Sequence, residues 1–256
     1  MHSWPDRSTR GGGDLILVGD SLGRAVLGYT HENEVTLGDM LHHARAVLRG
    51  AGATPVIVDL PAGSYDRPEE AGGAAAEVMS LGAAAVKIEG CLPDIISHLC
   101  KKMLPVVAHL GYTPQTANRE GSKVVGKSLS VATKLFEDAR TVEESGALAL
   151  VLEMVPREVA GRIAACLKIP VIGIGSGPDL DGQVLVTTDM WGDNEVSFKF
   201  LRRFGEVGRE KIAAVRNYVE SVRSGSYPAD ENSFHMDKRD LGSWIGRGER
   251  EVSEDA

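Results

Sequence analysis

Short runs of apolar, often β-branched residues recur along the chain and alternate with longer segments in which apolar residues return every three or four positions. The short runs are typical of strands buried in a parallel sheet, and the longer segments are typical of amphipathic helices. Because strands and helices alternate instead of falling into separate blocks, the pattern predicts an α/β fold. The predicted strands are 15–18, 56–60, 84–88, 105–110, 147–152, 170–174 and 183–188.

The segment 36–49 gives the clearest helix. Its apolar residues fall on one face, Thr36 and Asp39 have the spacing of a capping box, and Gly50 is expected to end it. The same pattern predicts helices at 68–81, 93–103, 130–145 and 156–167, and one or two closing helices over 195–222.

Polar residues stand at the carboxyl ends of the predicted strands. In a (β/α) barrel these ends converge on one mouth, where active sites are built. Carboxylates crowded in this way repel one another unless a cation lies among them, and oxygen ligands without clustered His or Cys favour magnesium over zinc. The polar residues are, in chain order, Asp20, Asp59, Glu89, His109, Glu153, Ser176 and Asp189.

The number of strands leaves a gap in this interpretation. Seven strands are predicted, one fewer than a closed barrel needs, and no plausible strand precedes Asp14. We predict an irregular N-terminal segment (1–13), a barrel domain (14–228) and a polar C-terminal tail (229–256).

Composition narrows the possible functions. At 256 residues and 43% hydrophobic content, the chain is expected to form one domain. A net charge of −8 argues against binding to nucleic acid. Three cysteines without a C-x-x-C pair argue against disulfides and structural zinc. Because the sequence shows no signal peptide and no membrane span, we expect a cytoplasmic protein that does not associate with membranes.

Two short motifs point to other enzymes, but their contexts do not support them. The run 121–128 (GSKVVGKS) matches a phosphate-binding loop, yet the preceding strand is expected to end near Leu110, well before it. The run 19–23 (GDSLG) matches the nucleophile elbow of a serine hydrolase, with Asp189 and His235 as conceivable partners, but no helix follows at once. We therefore favour neither reading.

Several longer blocks match a single family. They include LVGDSLG (17–23), VDLPAGSY (58–65), AVKIEG (85–90), AHLGYTPQ (108–115), LVLEMVP (150–156) and IGIGSGPDLDGQVLV (172–186). In these blocks the chain resembles the ketopantoate hydroxymethyltransferase family. The resemblance implies a (β/α)8 TIM-type barrel that forms a homo-oligomer, usually a decamer. It also implies transfer of a one-carbon unit from 5,10-methylenetetrahydrofolate, as co-substrate, to the 2-oxo acid α-ketoisovalerate.

The resemblance also implies roles for individual residues. Asp20 and Asp59 match the family's magnesium-binding aspartates, and Glu89 matches an acidic group that completes the metal shell through water. Ser21 and Lys87 match residues that bind the substrate carboxylate and keto oxygen, beside Asp59. The residues that bind folate are not assigned by this comparison.

Two further residues complete the implied site. Glu153 matches the family's general base, and His109 matches a histidine near the metal-bound waters. A base placed across from the metal suits removal of a proton next to a ketone, since a carboxylate bound to the metal would be too weak a base.

Departures from the family pattern leave alternatives open. No match to the family's first strand and helix is found ahead of Asp14, which an understated start site, a gap filled by the chain's own tail or a neighbour, or a non-catalytic barrel homologue would explain. Ala62 stands where the family favours Phe, which would enlarge the site and admit another 2-oxo acid, as in a paralogous hydroxymethyltransferase of secondary metabolism. A lyase of the related phosphoenolpyruvate mutase and isocitrate lyase group would need a reactive cysteine loop, and none of the three cysteines lies in one.

Overall fold

The structure is a computed structural model that describes residues 11–116, 123–194 and 197–244. It contains a seven-stranded parallel sheet in which the strands pair in chain order. This confirms the α/β class. No pairing joins the first strand to the seventh within the described residues, so barrel closure and the missing first strand stay predictions. The strands are β1 (Ile16–Val18), β2 (Val56–Asp59), β3 (Ala85–Glu89), β4 (Val106–Gly111), β5 (Ala149–Glu153), β6 (Val171–Ile174) and β7 (Gly182–Gln183).

Helices follow most of the strands, as the pattern predicts. They are α1 (Leu37–Gly50), α2 (Pro68–Ser80), α3 (Pro93–Lys101), α4 (Leu129–Glu144), α5 (Arg157–Cys166), α6 (Thr187–Trp191) and α7 (Val207–Ser224). The capping box of α1 is confirmed, since the Thr36 hydroxyl accepts a hydrogen bond from the Asp39 N–H and the Asp39 carboxylate accepts one from the Thr36 N–H. The helix extends one residue beyond the predicted segment 36–49, and Gly50 is its last residue.

Three predicted elements were wrong in part. The strand expected at 183–188 ends at Gln183, and the short helix α6 begins at Thr187. The start of a helix suits a β-branched polar residue such as threonine better than a helix interior does. The helix expected at 93–103 ends at Lys101, and Met103 adopts a left-handed φ of 56° in the turn beyond it. The closing helix begins only at Val207, after a non-helical segment 197–206; residues 195 and 196 lie outside the described residues.

Side chains on the strands alternate between two faces of the sheet. One face packs against the helices and forms the main apolar core. The other face carries a smaller apolar cluster formed by Ala85, Val107 and Val151. Lys87 and Glu89 follow Ala85 at alternate positions on β3, so they share the face of this cluster and lie nearer the carboxyl end. The main core includes Val58, Val86, Ile88, Val106, Ala108, Leu150, Leu152 and Val171.

The chain divides into two compact units. The first comprises 1–190 and 195–203 and contains the sheet and both apolar clusters. The second comprises 191–194 and 204–256, and its described part contains α7 and a 3₁₀ turn at Asp230–Asn232. None of the side chains of α7 is buried. The predicted boundaries at 13 and 228 stay predictions, and residues 1–10 lie outside the described residues.

Within the described part of the chain, none of the helices combines the length and the apolarity that a membrane span requires.

Candidate active site

The polar side chains predicted to meet do meet at the carboxyl edge of the sheet. The pairing register sets Asp59 beside Lys87 and Glu89 beside His109. It also sets Gly111 beside Glu153, two residues beyond His109 on β4. Because alternate residues share a face, these side chains project on the same side of neighbouring strands. One wall of the predicted site therefore follows directly from strand register.

Asp20, Asp59 and Lys87 form a buried charged group at the ends of β1, β2 and β3. Their exposed fractions are 5%, 2% and 4%. Lys87 Nζ lies 3.1 Å from Asp59 Oδ1, and the Asp20 N–H donates to Asp59 Oδ2 at 3.2 Å. An unpaired ammonium would be costly inside an apolar strand, so this ion pair explains how Lys87 is accommodated.

Burial shapes the protonation of these groups. Desolvation, followed by the negative charge of Asp59, raises the pKa of Asp20 to about 7. Burial also raises the pKa of Asp59, although Lys87 opposes that change. Burial alone would lower the pKa of Lys87, but the surrounding carboxylates outweigh it and hold that pKa above its ordinary value. The site therefore favours added positive charge.

His109 bridges this charged group and Glu153. Its Nδ1 lies 3.3 Å from Glu89 Oε1 and 3.4 Å from Lys87 Nζ, while its Nε2 lies 3.4 Å from Glu153 Oε2. Burial and Lys87 disfavour the imidazolium, but the contacts with the two glutamates outweigh them and raise the pKa of His109. The family resemblance placed His109 only near the metal-bound waters. In the structure, His109 connects the buried charged group with Glu153.

Glu153 is held by tight backbone packing. Gly111, opposite it on β4, has a φ of 95°, and a Cβ there would come within 2.3 Å of the Glu153 carbonyl oxygen. Met154, directly after Glu153, has a left-handed φ of 51°, an unfavourable conformation for a side chain that is not glycine. Such strain persists only where the surrounding structure holds the backbone in place. The backbone at the end of β5 is therefore held firmly around Glu153.

Ser21 lies on the turn after β1, beside Asp59. A Cβ on Gly19 would come 3.2 Å from Ser21 Oγ and 3.5 Å from Asp59 Oδ2, so both groups stand close to the same small residue. The turn continues into a five-residue π-helical segment, Gly23–Leu27. Ser21 therefore lies close to Asp59, and its role in binding substrate stays a prediction. The expectation that no helix follows this turn at once was wrong, although the helical segment that follows is a short π-helix.

Two residues of the site were missed by the sequence reasoning. The side-chain amide of Gln115 donates to Asp20 Oδ2 at 2.7 Å and to the Leu60 carbonyl at 3.0 Å. The Tyr65 hydroxyl contacts the other end of that amide and accepts from the Glu89 N–H at 3.3 Å. Both residues end blocks that match the family, VDLPAGSY and AHLGYTPQ, and that was the available signal.

The phosphate-loop motif has a structural role where it is described. Residues 121 and 122 lie outside the described residues. Ser128 caps α4 by accepting a hydrogen bond from the Val131 N–H, and the Val125 N–H donates to the Met154 carbonyl. His235, considered as part of a hydrolase triad, forms an ion pair with Asp230 at 3.2 Å.

Asp20 and Asp59 are the side chains best placed to hold a divalent cation. Together with Glu89 they bring three buried carboxylates near one buried lysine, a charge imbalance that a cation would offset. Apart from its ion pair with Lys87 Nζ, Asp59 Oδ1 has no hydrogen-bond partner among the described residues. Those residues contain no group of three or more His, Cys, Asp or Glu already arranged as metal ligands. Two carboxylates are nevertheless enough for Mg²⁺, which usually completes its shell with water and substrate.

Comparison with known proteins identifies the family. The family model described as ketopantoate hydroxymethyltransferase matches residues 6–230. The chain belongs to the ketopantoate hydroxymethyltransferase family. Relatives named 3-methyl-2-oxobutanoate hydroxymethyltransferase include one from Lysinibacillus sphaericus, 45% identical over 91% of this chain and 86% of its own length. Another, from Caldicellulosiruptor bescii, is 46% identical over 86% of both chains. The chain is thus an enzyme of the transferase class, a hydroxymethyltransferase.

Solved structures with a similar fold include enzymes with other activities. A phosphonopyruvate hydrolase in complex with oxalate and Mg²⁺ superposes with a TM-score of 0.58 and 12% identity, covering 100% of this chain and 91% of the other. A 2,3-dimethylmalate lyase of the phosphoenolpyruvate mutase and isocitrate lyase superfamily gives a TM-score of 0.53 and 15% identity, over 98% and 88%. At this identity the likeness concerns the fold alone, an α/β fold with a parallel sheet.

Proposed function

We propose that this enzyme transfers a hydroxymethyl group from 5,10-methylenetetrahydrofolate to α-ketoisovalerate, giving ketopantoate for pantothenate biosynthesis, and that it requires Mg²⁺. The observation that carries the proposal is the position of Glu153. It lies at the same edge of the sheet as the buried Asp20, Asp59 and Lys87 but is separated from them by His109. A base that is close to the charged group without belonging to it fits proton removal beside a keto group.

In the proposed reaction, Glu153 takes the proton from C3 of the keto acid. The electron pair of the broken C–H bond moves toward the keto oxygen and forms an enolate. Lys87 and Ser21 hold the keto oxygen and the carboxylate of the substrate. Asp20 and Asp59 would hold Mg²⁺ directly and Glu89 through water; the bound ion supplies a Lewis acid that stabilises negative charge on oxygen.

The second half of the reaction forms the new carbon–carbon bond. C3 of the enolate attacks the methylene carbon of the folate. Both carbon–nitrogen bonds of that methylene carbon break: water supplies the hydroxyl group, and the proton taken from C3 and the remaining proton of the water go to the two folate nitrogens as tetrahydrofolate leaves. The chemistry of the one-carbon unit belongs to the folate, so the protein needs to position the two reactants and exclude competing reactions.

Deuterium exchange tests this proposal before folate is involved. The purified protein in D₂O with Mg²⁺ should exchange the C3 hydrogen of α-ketoisovalerate, as followed by proton NMR. Chelation of the metal should abolish exchange, and addition of the folate should give ketopantoate. If a metal-loaded sample exchanged no hydrogen and formed no ketopantoate, the proposal would be wrong.

A different 2-oxo acid is the alternative substrate, and the small side chain of Ala62 is the feature that favours it. Ala62 lies on the turn between Asp59 and Tyr65, where the Ser64 N–H donates to the Pro61 carbonyl. In this alternative, alanine in place of the phenylalanine that the family favours leaves room for a larger substrate. Rates with α-ketoisovalerate and with a longer 2-oxo acid, for wild type and Ala62→Phe, distinguish the two substrates. A preference for the longer acid that the substitution reverses would favour the competing function.

We also propose that the enzyme is a homo-oligomer, a decamer by resemblance to its family, and that it acts in the cytoplasm. Exposed apolar side chains on α7, among them Ile212, Val215 and Tyr218, are the kind of surface that subunit contacts cover. The three cysteines are free, which suits a reducing compartment. Light scattering coupled to size-exclusion chromatography measures the oligomer.

A further inference from the structure

Gln115 contacts two of the three proposed metal-binding carboxylates from the loop after β4. Its side-chain nitrogen donates to Asp20 Oδ2 at 2.7 Å, and its backbone N–H donates to Glu89 Oε2 at 3.0 Å. The second proton of the side-chain nitrogen goes to the Leu60 carbonyl at 3.0 Å, directly after Asp59. One neutral residue, 6% exposed, thus ties together the ends of β1, β2 and β3.

Tyr65 determines which way the Gln115 amide faces. The Tyr65 oxygen accepts a hydrogen bond from the Glu89 N–H, so the single hydroxyl proton remains for Gln115 Oε1. If the amide were reversed, its oxygen would face the Leu60 carbonyl and the ionised Asp20 carboxylate, neither of which offers a proton. The Tyr65 hydroxyl therefore locks the amide with its NH₂ group toward Asp20.

This arrangement restricts the motion of acidic side chains that repel one another. Asp20, Asp59 and Glu89 carry like charges, and without a restraint Asp20 would rotate toward solvent. A hydrogen bond to one carboxylate oxygen fixes the side chain, while lone pairs remain for a cation. Groups that orient metal ligands in this way typically change metal affinity by about 10- to 100-fold when they are removed.

We propose that Gln115, locked by Tyr65, is a positioning residue that pre-organises Asp20 and Glu89 to receive a divalent cation. The proposal rests on the metal site of the proposed function and adds two residues that the family resemblance did not assign. Gln115 touches neither the reacting carbon nor Glu153 in this arrangement. Its effect should therefore appear in binding of the metal alone, before any substrate is added.

The test is titration of Mn²⁺ onto metal-free protein, with free Mn²⁺ measured by electron paramagnetic resonance. Gln115→Met keeps most of the side-chain volume and removes the amide, and should weaken Mn²⁺ binding about 10- to 100-fold. Tyr65→Phe removes the lock, together with the acceptor of the Glu89 N–H, and should weaken Mn²⁺ binding less than Gln115→Met does. The double variant should bind Mn²⁺ no more weakly than Gln115→Met, because the lock has no purpose once the amide is gone.

Ser176→Ala is the matched control. The Ser176 hydroxyl, which follows β6, is also buried. It donates to the Leu152 carbonyl at 2.8 Å and accepts from the Val155 N–H, so these partners belong to β5 and the turn after it and not to the ends of β1 to β3. This variant should lower the melting temperature while leaving the Mn²⁺ dissociation constant within about twofold of wild type, as expected for a change made outside a metal site.

Three results would overturn the inference: unchanged Mn²⁺ affinity in Gln115→Met, equal weakening in Ser176→Ala, or fully additive effects in the double variant. If Gln115→Met did not fold, unchanged affinity in Tyr65→Phe would overturn it equally. Wild type that binds Mn²⁺ but forms no ketopantoate would contradict the proposed function and leave this inference standing. Wild type that binds no Mn²⁺ would contradict both.

Discussion

The two sides of the proposed active site are built differently. At the ends of β1 to β3, Asp20, Asp59 and Lys87 are buried and held by hydrogen bonds and an ion pair. At the end of β5, the Glu153 side chain keeps 18% of its surface exposed, and its position comes from the backbone around Gly111 and Met154. One side is arranged by side-chain electrostatics and the other by backbone sterics.

This difference suits two different tasks. A cation site needs acidic groups that remain close together in spite of their repulsion, and burial with shared hydrogen bonds achieves that. A general base needs a carboxylate at a fixed place that can still accept a proton. The backbone around Gly111 and Met154 fixes the place, while Oε2 of Glu153 contacts His109 at 3.4 Å. Substitutions on the two sides should therefore separate metal binding from proton transfer.

The largest expected effect comes from comparing Glu153→Gln with Asp59→Asn. Glu153→Gln should slow C3 exchange by about 10²- to 10⁴-fold, the usual contribution of a general base, while Mg²⁺ binding stays near that of wild type. Asp59→Asn should weaken Mg²⁺ binding by more than the roughly 10- to 100-fold seen for groups outside the metal shell. Calorimetric titration and proton NMR measure the two effects.

The comparison would fail if both variants lost metal binding equally. That result would place Glu153 among the metal ligands and leave the proton without an acceptor. Normal exchange in Glu153→Gln would instead move the role of base to another residue, with His109 the nearest alternative at 3.4 Å.

Gly111→Ala should give the largest loss of stability on the Glu153 side. The added Cβ would lie 2.3 Å from the Glu153 carbonyl oxygen, at a backbone φ of 95° that side chains rarely adopt. The free energy of unfolding should fall by about 3 kcal/mol or more, since the left-handed conformation and the clash both contribute. Chemical denaturation measures it.

Gly73→Ala is the control for this substitution. Gly73 lies inside α2, and a Cβ there meets no atom within 4 Å. It should stabilise the protein by about 0.5–1 kcal/mol, as alanine does in helix interiors. A loss of stability in Gly111→Ala of under 1 kcal/mol would show that the β4–β5 backbone can adjust, and would contradict the steric account of how Glu153 is placed.

Sequence reasoning succeeded where a strand end determines a side chain's position. Asp59, Glu89 and Glu153 are the last residues of β2, β3 and β5, so predicting the strands was enough to bring them together. It failed for Gln115, because a neutral residue in a loop has no pattern that indicates burial until the path of the loop is known. The predicted length of β7 was wrong for another reason. The segment 183–188 has an apolar, strand-like pattern, but helix α6 begins within it at Thr187.

The pH dependence of stability should reveal the cluster of acidic residues in metal-free protein. The pKa of Asp20 is raised to about 7, so between about pH 4 and 7 the folded state holds a proton that the unfolded state has released. This stabilising contribution is present at low pH and is lost as pH rises through 7; the raised pKa of His109 acts in the same direction. The melting temperature without metal should therefore fall from pH 5 to pH 8.

Mg²⁺ should reverse this trend, because the ion replaces the proton among the carboxylates. It should raise the melting temperature more at pH 8 than at pH 5, where protons compete for the same oxygens. Scanning calorimetry of wild type and Asp20→Asn, with and without Mg²⁺, measures the effect. Asp20→Asn should show a flatter pH profile, and an unchanged profile would mean that other groups cause it.

The smallest expected effect is that of Gly19→Ala, which tests how closely the turn after β1 packs against the acidic pair Asp20 and Asp59. The new Cβ would lie 3.2 Å from Ser21 Oγ, tight enough to displace that hydroxyl by a few tenths of an ångström, and 3.5 Å from Asp59 Oδ2, an ordinary contact. Because φ at Gly19 is not in the left-handed region, the free energy of unfolding should change by less than about 1 kcal/mol. Substrate affinity should still weaken several-fold, since Ser21 is proposed to hold the keto acid and misplacement of a positioning group is costly.

A KM for α-ketoisovalerate equal to that of wild type would show that Ser21 does not need this spacing, and would remove Ser21 from the proposed substrate site while leaving the acidic pair unaffected.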